Sequence, residues 1–124
     1  MASASASYSP AARAIDRNTA YKWQNGRSQA TSNDFLQVDL GAVRTFTRVV
    51  LEHTGNSNDF PVAYVLQVSD DRTTWRDVQT GHGSPVATTI RLPAATRARY
   101  LRIVETGSSG AYWFSVNELR VFND

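Results

Sequence analysis

The sequence contains no cysteine and only four prolines in 124 residues. Without cysteine there can be no disulfide bond and no thiolate metal site, so packing and hydrogen bonding have to stabilise the fold. No apolar run reaches the roughly 20 residues that a transmembrane helix requires, so we expect no membrane span. Residues 1–7 lack the apolar segment of a signal peptide, and we interpret them as a disordered tail or a remnant of expression.

Charge of one sign is not concentrated anywhere in the sequence either. Thirteen Lys and Arg residues stand against eleven Asp and Glu residues, which gives a net charge of +2, and the basic residues are dispersed. Binding to nucleic acid depends on clustered basic charge, so we expect no nucleic-acid partner. The patterns G-x-S-x-G, H-E-x-x-H and the Walker loop are absent, and no pair of carboxylates is placed for hydrolysis. We therefore predict a domain that is not an enzyme.

The chain does contain short β-branched or alternating apolar segments, separated by clusters of turn-forming residues. Seven such segments cover residues 35–40, 46–51, 64–69, 75–78, 88–92, 100–104 and 116–122. The pattern predicts one all-β domain over residues 8–124, built as an antiparallel sandwich or barrel, with a single helical turn near residues 10–15.

Alternation along these segments predicts the hydrophobic core. The residues expected to point inward are Leu36, Val38, Leu40, Val49, Leu51, Leu66, Val68, Trp75, Ile90, Leu92, Leu101, Ile103, Leu119 and Val121, together with Trp23.

An unusual group of aromatic residues follows a Gly/Ser-rich loop near the end of the chain. Residues 107–111 read Gly-Ser-Ser-Gly-Ala and lead directly into Tyr112, Trp113 and Phe114. Aromatic rings at a loop tip either enter the core or form an apolar platform for a ligand. The residues alone leave these two alternatives open.

Six segments, taken in order, resemble the discoidin or factor V/VIII C-type domain, in particular the bacterial family 32 carbohydrate-binding modules. They are Ala14–Asn18 with Lys22-Trp23, Phe35–Gly41, Thr47–Leu51, Tyr64–Asp71 with Trp75, Ala98–Ile103 and Ser115–Phe122. The resemblance implies an eight-stranded antiparallel jelly-roll β-sandwich whose loops at one end bind sugars. It further implies a secreted, monomeric module that is covalently linked to a catalytic domain, usually a glycoside hydrolase, and that targets this domain to glycan.

The same resemblance suggests which residues bind the sugar. Trp113, with Tyr112 beside it, occupies the position of the aromatic residue that stacks on a pyranose, and His53 matches a histidine that hydrogen-bonds a hydroxyl group in galactose-binding relatives. Asn56, Asn58 and Asp59 follow His53 as polar candidates. Relatives have an Arg and an Asn where this chain has Gly81–Ser84, so His82 or Arg27 is the candidate cationic donor, and the identity of the sugar stays open. The net charge favours neutral or acidic glycans over chitosan.

A structural calcium ion is also implied by the resemblance. Its ligands would be the side chains of Asp16 and Glu118 and the carbonyl groups of Arg13, Asn18, Tyr21 and Asn117, and calcium prefers such oxygen ligands. Two positions depart from the family pattern: Arg17 replaces a glycine, and Tyr21 replaces a threonine. The alternative is a salt bridge in which Arg17 or Lys22 pairs with Asp16 and Glu118.

A second function remains open at this point. Animal discoidin domains dock on lipid head groups or on proteins through apolar loop residues, usually with a disulfide that ties the chain ends together. This chain has the aromatic residues but no cysteine, which favours the sugar-binding branch.

Overall fold

The computed structural model describes residues 1–5, 7, 10–18, 21–29, 33–53, 58–109 and 112–124. Within this part of the chain it has eight strands and one short 3-10 helix at Ala11–Ala14, where the sequence predicts a helical turn. The strands are β1 (Ala2–Ala4), β2 (Trp23–Ser28), β3 (Phe35–Glu52), β4 (Tyr64–Ser69), β5 (Arg76–Gly81), β6 (Ala87–Glu105), β7 (Trp113–Val116) and β8 (Glu118–Phe122). None of the described helices is long or apolar enough to span a membrane.

Two long strands organise the sandwich. β3 and β6 pair antiparallel from Phe35 opposite Val104 to Glu52 opposite Ala87, with a register shift between Asp39 and Arg44. β1 pairs with the first half of β3, and β8 pairs with its second half. β4 pairs with the second half of β6, and β5 pairs in turn with β4. β2 and β7 form a separate antiparallel pair. Six strands thus form one antiparallel sheet and two strands form another, so the predicted antiparallel β-sandwich is confirmed, although four predicted strands merge into β3 and β6.

The bend of the long strands brings the loops together at one end of the molecule, which we call the loop end. His53, just after β3, donates its backbone N–H to the carbonyl of Val86 at 2.8 Å, just before β6. At the far end of the same two strands, Glu105 donates to the carbonyl of Asp34 at 2.8 Å. Thr106 in turn donates to the carbonyl of Ala63 at 2.9 Å. The segments that flank β3, β4, β6 and β7 therefore meet at the loop end.

One continuous cluster of apolar side chains lies between the layers, and most of the predicted core residues belong to it. Trp23 and Phe114 are both fully buried, with their rings edge-to-face at 4.9 Å between centroids. Leu40, Leu92 and Val121 lie only at the margin of the core. The remaining predicted positions apart from Trp75 are buried: Leu36, Val38, Val49, Leu51, Leu66, Val68, Ile90, Leu101, Ile103 and Leu119.

The placement of Trp75 in the core is wrong. Its side chain is half-buried, and its ring packs against the guanidinium of Arg102 at 4.0 Å. Trp75 directly precedes β5, which lies at the edge of its sheet, so its ring covers a surface arginine instead of entering the interior.

The prediction of a disordered tail over residues 1–7 is also wrong for its first part. Ala2–Ala4 form β1 and pair with Leu36–Val38 of β3. The amide of Asp39 donates to the carbonyl of Met1 at 2.8 Å. These small residues have no hydrophobic pattern of their own, so the strand depends on main-chain pairing that the sequence does not reveal.

Candidate functional site

The aromatic tip of the loop end is fastened to the domain by a buried glutamine. The backbone N–H of Gln29 donates to the carbonyl of Tyr112 at 3.2 Å, and its side-chain amide donates to the carbonyl groups of Trp113 and Phe60, both at 2.8 Å. The side-chain oxygen accepts from the amide of Val62 at 2.9 Å. One fully buried side chain thus links the aromatic segment to the loop that precedes β4.

Two further polar side chains hold the next backbone groups of this segment. The amide of Trp113 donates to the carboxylate of Asp59 at 3.2 Å, and the amide of Phe114 donates to the side-chain oxygen of the buried Asn25 at 3.0 Å. The amide and the hydroxyl of Ser115 both donate to the carbonyl of Asp59, at 2.8 and 3.1 Å. Because successive backbone groups from Tyr112 to Ser115 are fixed, Tyr112 and Trp113 are presented in a defined conformation.

His53 lies beneath this segment and does not reach the surface. It is fully buried, with Nδ1 3.0 Å from the carbonyl oxygen of Ser115 and Nε2 2.8 Å from the hydroxyl of Thr88. Burial lowers the pKa of His53 to about 4, although the Ser115 carbonyl and the charge of Asp59 oppose this shift. Both ring nitrogens of the predicted sugar ligand are therefore engaged inside the domain in this structure. One of these contacts joins His53 to the strand that begins at Trp113.

Arg27 and Asp34 form a second polar group at the loop end. The side chain of Arg27 is 56% exposed, whereas that of Asp34 is fully buried. Arg27 binds both carboxylate oxygens of Asp34, one of them through Nε at 2.8 Å. Burial would raise the pKa of Asp34, but the hydrogen bonds from Arg27, Asn25 and Ser5 lower it to about 2. The buried carboxylate therefore fixes an arginine whose outer edge faces solvent.

The other predicted sugar ligands lie around the same end. His82 is exposed, with Nδ1 3.2 Å from the carbonyl oxygen of Val62. Asn58 is exposed and Asp59 is partly buried under Trp113. Asn56 lies outside the described residues. Tyr112 has 43% of its side chain exposed and Trp113 is half-buried, so the aromatic pair lies on the surface as predicted.

A buried acid lies close to these loops and is not evident from the sequence. Glu105, at the end of β6, is fully buried, and neither carboxylate oxygen has a hydrogen-bond partner among the described residues. Burial raises its pKa to about 7, and the negative charge of Asp34 adds to the rise. The backbone amide of Gly107 lowers the pKa of Glu105 and so opposes this rise. The same amide donates to the carbonyl of Ala63 at 3.3 Å.

Two of the predicted calcium ligands, Asp16 and Glu118, lie where the loop after the 3-10 helix approaches β8. Glu118 is buried and accepts from the backbone amide of Arg17 at 3.0 Å, while Asp16 accepts from the amide of Asn18 at 3.0 Å. Burial raises the pKa of Glu118, and the charge of the neighbouring Asp16 contributes to the rise. Arg17 has a φ of +61°, a conformation that explains why relatives place a glycine there.

The alternative salt bridge from Arg17 is not formed in the part of the chain that the structure describes. The four ion pairs found there are Arg27–Asp34, Arg48–Asp124, Arg99–Asp39 and Arg120–Glu52. The two neighbouring carboxylates of Asp16 and Glu118 fit the oxygen-ligand chemistry of a calcium site. No cluster of three or more acidic or histidine side chains suited to a metal occurs among the described residues, so carbonyl oxygens would have to supply the other ligands.

Comparison with known families shows the family to which this chain belongs. The sequence profile of the F5/8 type C domain matches residues 1–119. The chain belongs to the F5/8 type C domain family. This family comprises non-catalytic binding domains, and its match begins at residue 1 and so includes β1. No curated protein sequence matches the chain closely enough to count as a relative.

Several solved structures with the same fold are carbohydrate-binding modules. Chitosan-binding module 2 of a chitosanase/glucanase from Paenibacillus sp. IK-5, in complex with chitotriose, is 26% identical with a TM-score of 0.84, over 99% of this chain and 95% of that one. The family 32 module of Clostridium perfringens NanJ, in complex with galactose, is 23% identical with a TM-score of 0.83, over 98% and 91% of the two chains. The family 32 module of AlyQ, in complex with 4,5-unsaturated mannuronic acid, is 24% identical with a TM-score of 0.79, over 100% and 95%.

Proposed function

We propose that this F5/8 type C domain is a carbohydrate-binding module that binds glycan at the loop end. The observation that carries the proposal is the aromatic segment, whose backbone is held by Gln29, Asp59 and Asn25 while Tyr112 stays exposed. A rigid aromatic surface gains contact with the apolar face of a sugar ring at a low cost in conformational entropy. The glycan-bound neighbours of the same fold support this interpretation.

Polar groups beside the aromatic pair can recognise sugar hydroxyl or carboxylate groups. A guanidinium has five N–H donors, and Asp34 engages only the Nε and one terminal nitrogen of Arg27. His82 and Asn58 are exposed at the same end. We therefore propose Arg27 as the cationic donor of the site, with His82 and Asn58 as further hydrogen-bonding candidates. His53 and Asp59 lie beneath the aromatic segment and hold it in position.

The site forms an open surface, and we expect weak binding. Three depressions of the protein surface lie elsewhere: one beside Leu40 and Phe122, one between Ser69 and Arg76, and one between Ile15 and β8. A single shallow site of this kind has a dissociation constant on the order of millimolar, or about −4 kcal/mol, and multiple copies or a polymeric ligand raise the avidity.

Affinity electrophoresis tests the proposal. The wild type is run in gels containing chitosan, galactan, alginate or β-glucan, next to Trp113→Ala and to Trp75→Ala as a matched control on another surface. We expect at least one polysaccharide to retard the wild type and Trp75→Ala but not Trp113→Ala. Equal retardation of both variants would show that the site lies elsewhere. Co-sedimentation with anionic phosphatidylserine vesicles, lost only in Trp113→Ala, would instead favour the lipid-docking function.

We further propose that the module is monomeric, secreted and linked to a catalytic domain. The support comes from neighbours of the same fold, which derive from a chitosanase/glucanase and from a family 31 glycoside hydrolase. Sedimentation of the purified domain tests whether it is monomeric, and the sequence of the complete gene tests whether it is linked to a catalytic domain.

We also propose one structural calcium ion between the Asp16 loop and β8. Glu118 and Asp16 would provide carboxylate ligands, and the carbonyl groups of Arg13, Asn18, Tyr21 and Asn117 the remainder. Calcium at 100 times its dissociation constant should stabilise the fold by about 2.7 kcal/mol, which is measured as a rise in Tm that Glu118→Gln abolishes. If calcium and magnesium leave the Tm equally unchanged, the proposal fails.

A further inference from the structure

An exposed valine at the loop end has an unusual backbone conformation. Val86 has a φ of +69°, and the amide of Ala87 donates to the carbonyl of Pro85 at 2.8 Å across it. A hydrogen bond between residues i and i+2 at this φ has the form of a classic γ-turn, which is rare and strained. The strain is greatest for a β-branched residue. Moreover, 73% of this apolar residue is exposed. A valine at this position is therefore favoured neither by the backbone conformation nor by burial of its side chain.

The surrounding structure holds this turn in place. The carbonyl of Val86 accepts the backbone N–H of His53 at 2.8 Å. Behind the turn, the hydroxyl of Thr88 accepts the amide of Ser84 at 3.2 Å and lies 2.8 Å from Nε2 of His53. Strained residues persist only where their surroundings determine them in this way, and they concentrate at ligand-binding sites.

The same histidine connects the turn to the aromatic segment. Its Nδ1 lies 3.0 Å from the carbonyl of Ser115, two residues after Trp113. The loop before Val86 is also packed against the loop that carries Asp59, because the amide of Gly83 donates to the carbonyl of Pro61 at 2.9 Å. A Cβ on Gly83 would lie 2.1 Å from that oxygen, so the two loops are in close contact. Val86 and Tyr112 are therefore two exposed residues on loops that are linked beneath the surface through His53 and Ser115.

We propose that Val86 is a second sugar-contacting residue, placed across the buried His53–Ser115 hydrogen bond from Tyr112 and Trp113, so that the site binds a glycan segment of at least two sugar units. This inference rests on the proposed function and extends it from a single stacking platform to two apolar contacts. The turn keeps a branched apolar side chain pointing to solvent, where it can pack on the face of the second sugar ring.

The Val86→Gly variant separates ligand contact from stability. Glycine adopts a positive φ without steric cost, so the variant should keep or raise the Tm, by roughly 2 to 4 °C. It should also bind the glycan at least threefold more weakly. Val43→Gly is the matched control, because Val43 is 46% exposed in the middle of β3 and has no positive φ. This control should lower the Tm and leave glycan binding unchanged.

The measurement uses the polysaccharides that retard the wild type in affinity gels, followed by calorimetric titration with the matching monosaccharide and trisaccharide. The inference predicts that Val86→Gly weakens trisaccharide binding but not monosaccharide binding. Unchanged trisaccharide binding in Val86→Gly, with binding lost in Trp113→Ala, would overturn this inference and leave the proposed function intact. If no polysaccharide retards the wild type, the proposed function fails and the inference with it. Weaker binding of Val86→Gly to phosphatidylserine vesicles alone would assign the residue to lipid contact and also overturn the inference.

Discussion

Two groups of aromatic residues lie at the surface of this domain, and they differ in what the rest of the protein does with them. On the outer face of the β3–β6 sheet, the guanidinium of Arg102 lies between the rings of Phe35 and Trp75, at 3.9 and 4.0 Å from their centroids. At the loop end, buried polar side chains hold the backbone of Tyr112 and Trp113 from below. The first arrangement occupies the ring faces, whereas the second fixes the main chain and leaves Tyr112 exposed.

The difference shows that surface aromatic residues serve stability or binding according to how they are supported. An arginine between two rings gains cation–π attraction and covers apolar surface. A hydrogen-bonded backbone is instead already ordered before the ligand binds, so less conformational entropy is lost on binding. Both groups have similar composition, so only their contacts distinguish them.

The largest expected effect comes from removing the support of the aromatic tip. Gln29→Leu removes the side-chain partner of three partly buried backbone groups: the carbonyls of Trp113 and Phe60 and the amide of Val62. At about 1 to 3 kcal/mol for each group, we expect the free energy of unfolding to fall by about 4 kcal/mol, measured by urea denaturation.

Gln67→Leu is the control, since Gln67 donates only to the exposed Asp77 and should change stability by less than about 0.5 kcal/mol. Gln29→Leu should also weaken glycan retention, although Gln29 is too deeply buried to contact a sugar. If both variants unfold at the same urea concentration, Gln29 does not support the tip and the comparison fails.

Gln29 also illustrates what the sequence could and could not predict. Strand periodicity identified the antiparallel β architecture and most of the core, because these depend on local alternation. His53 was predicted as a ligand because it matches a histidine of galactose-binding relatives, but its burial depends on Thr88 and Ser115, which are distant in sequence. Gln29 and Asp34 carry no local signal, since polar residues near a turn are ordinary. Their roles depend on contacts between residues that are distant in the sequence, and such contacts cannot be recognised from a single sequence.

A somewhat smaller effect is expected from the buried Glu105. Its pKa rises from an ordinary 4.5 to about 7 in the folded protein, so folding favours the protonated form. The stability that protonation provides is complete below about pH 4.5 and is lost as the pH rises to about 7, by up to about 3 kcal/mol. The loss is measured as the difference in stability between the wild type and Glu105→Gln in urea denaturation, because the opposing titration of His53 is common to both proteins. This difference should be larger at pH 5 than at pH 8 by about 2 to 3 kcal/mol. If the difference is the same at both pH values, Glu105 does not titrate in this range.

His53 should produce the opposite pH dependence at the same end of the molecule. Its pKa falls from 6.5 to about 4, so folding favours the neutral ring. The contribution is complete above about pH 6.5 and is lost as the pH falls to about 4, again by up to about 3 kcal/mol. In the Glu105→Gln background the two effects separate, and stability should then decline only on the acidic side. NMR titration of the imidazole measures this directly, and a pKa near 6.5 in the folded protein would contradict the buried, doubly hydrogen-bonded histidine.

The smallest effect is expected on the sheet face, and it tests the other half of the comparison. Arg102→Met keeps an unbranched side chain between the two rings but removes the cation and both hydrogen bonds to Gln37, at 2.8 and 3.2 Å. A cation–π contact at a partly exposed site contributes about 0.5 to 2 kcal/mol, so we expect a loss of about 1 kcal/mol in urea denaturation. Glycan retention should be unchanged, because the rings of Phe35 and Trp75 serve packing. If Arg102→Met loses retention as completely as Trp113→Ala does, the sheet face belongs to the glycan-binding surface, and the two aromatic groups share one function.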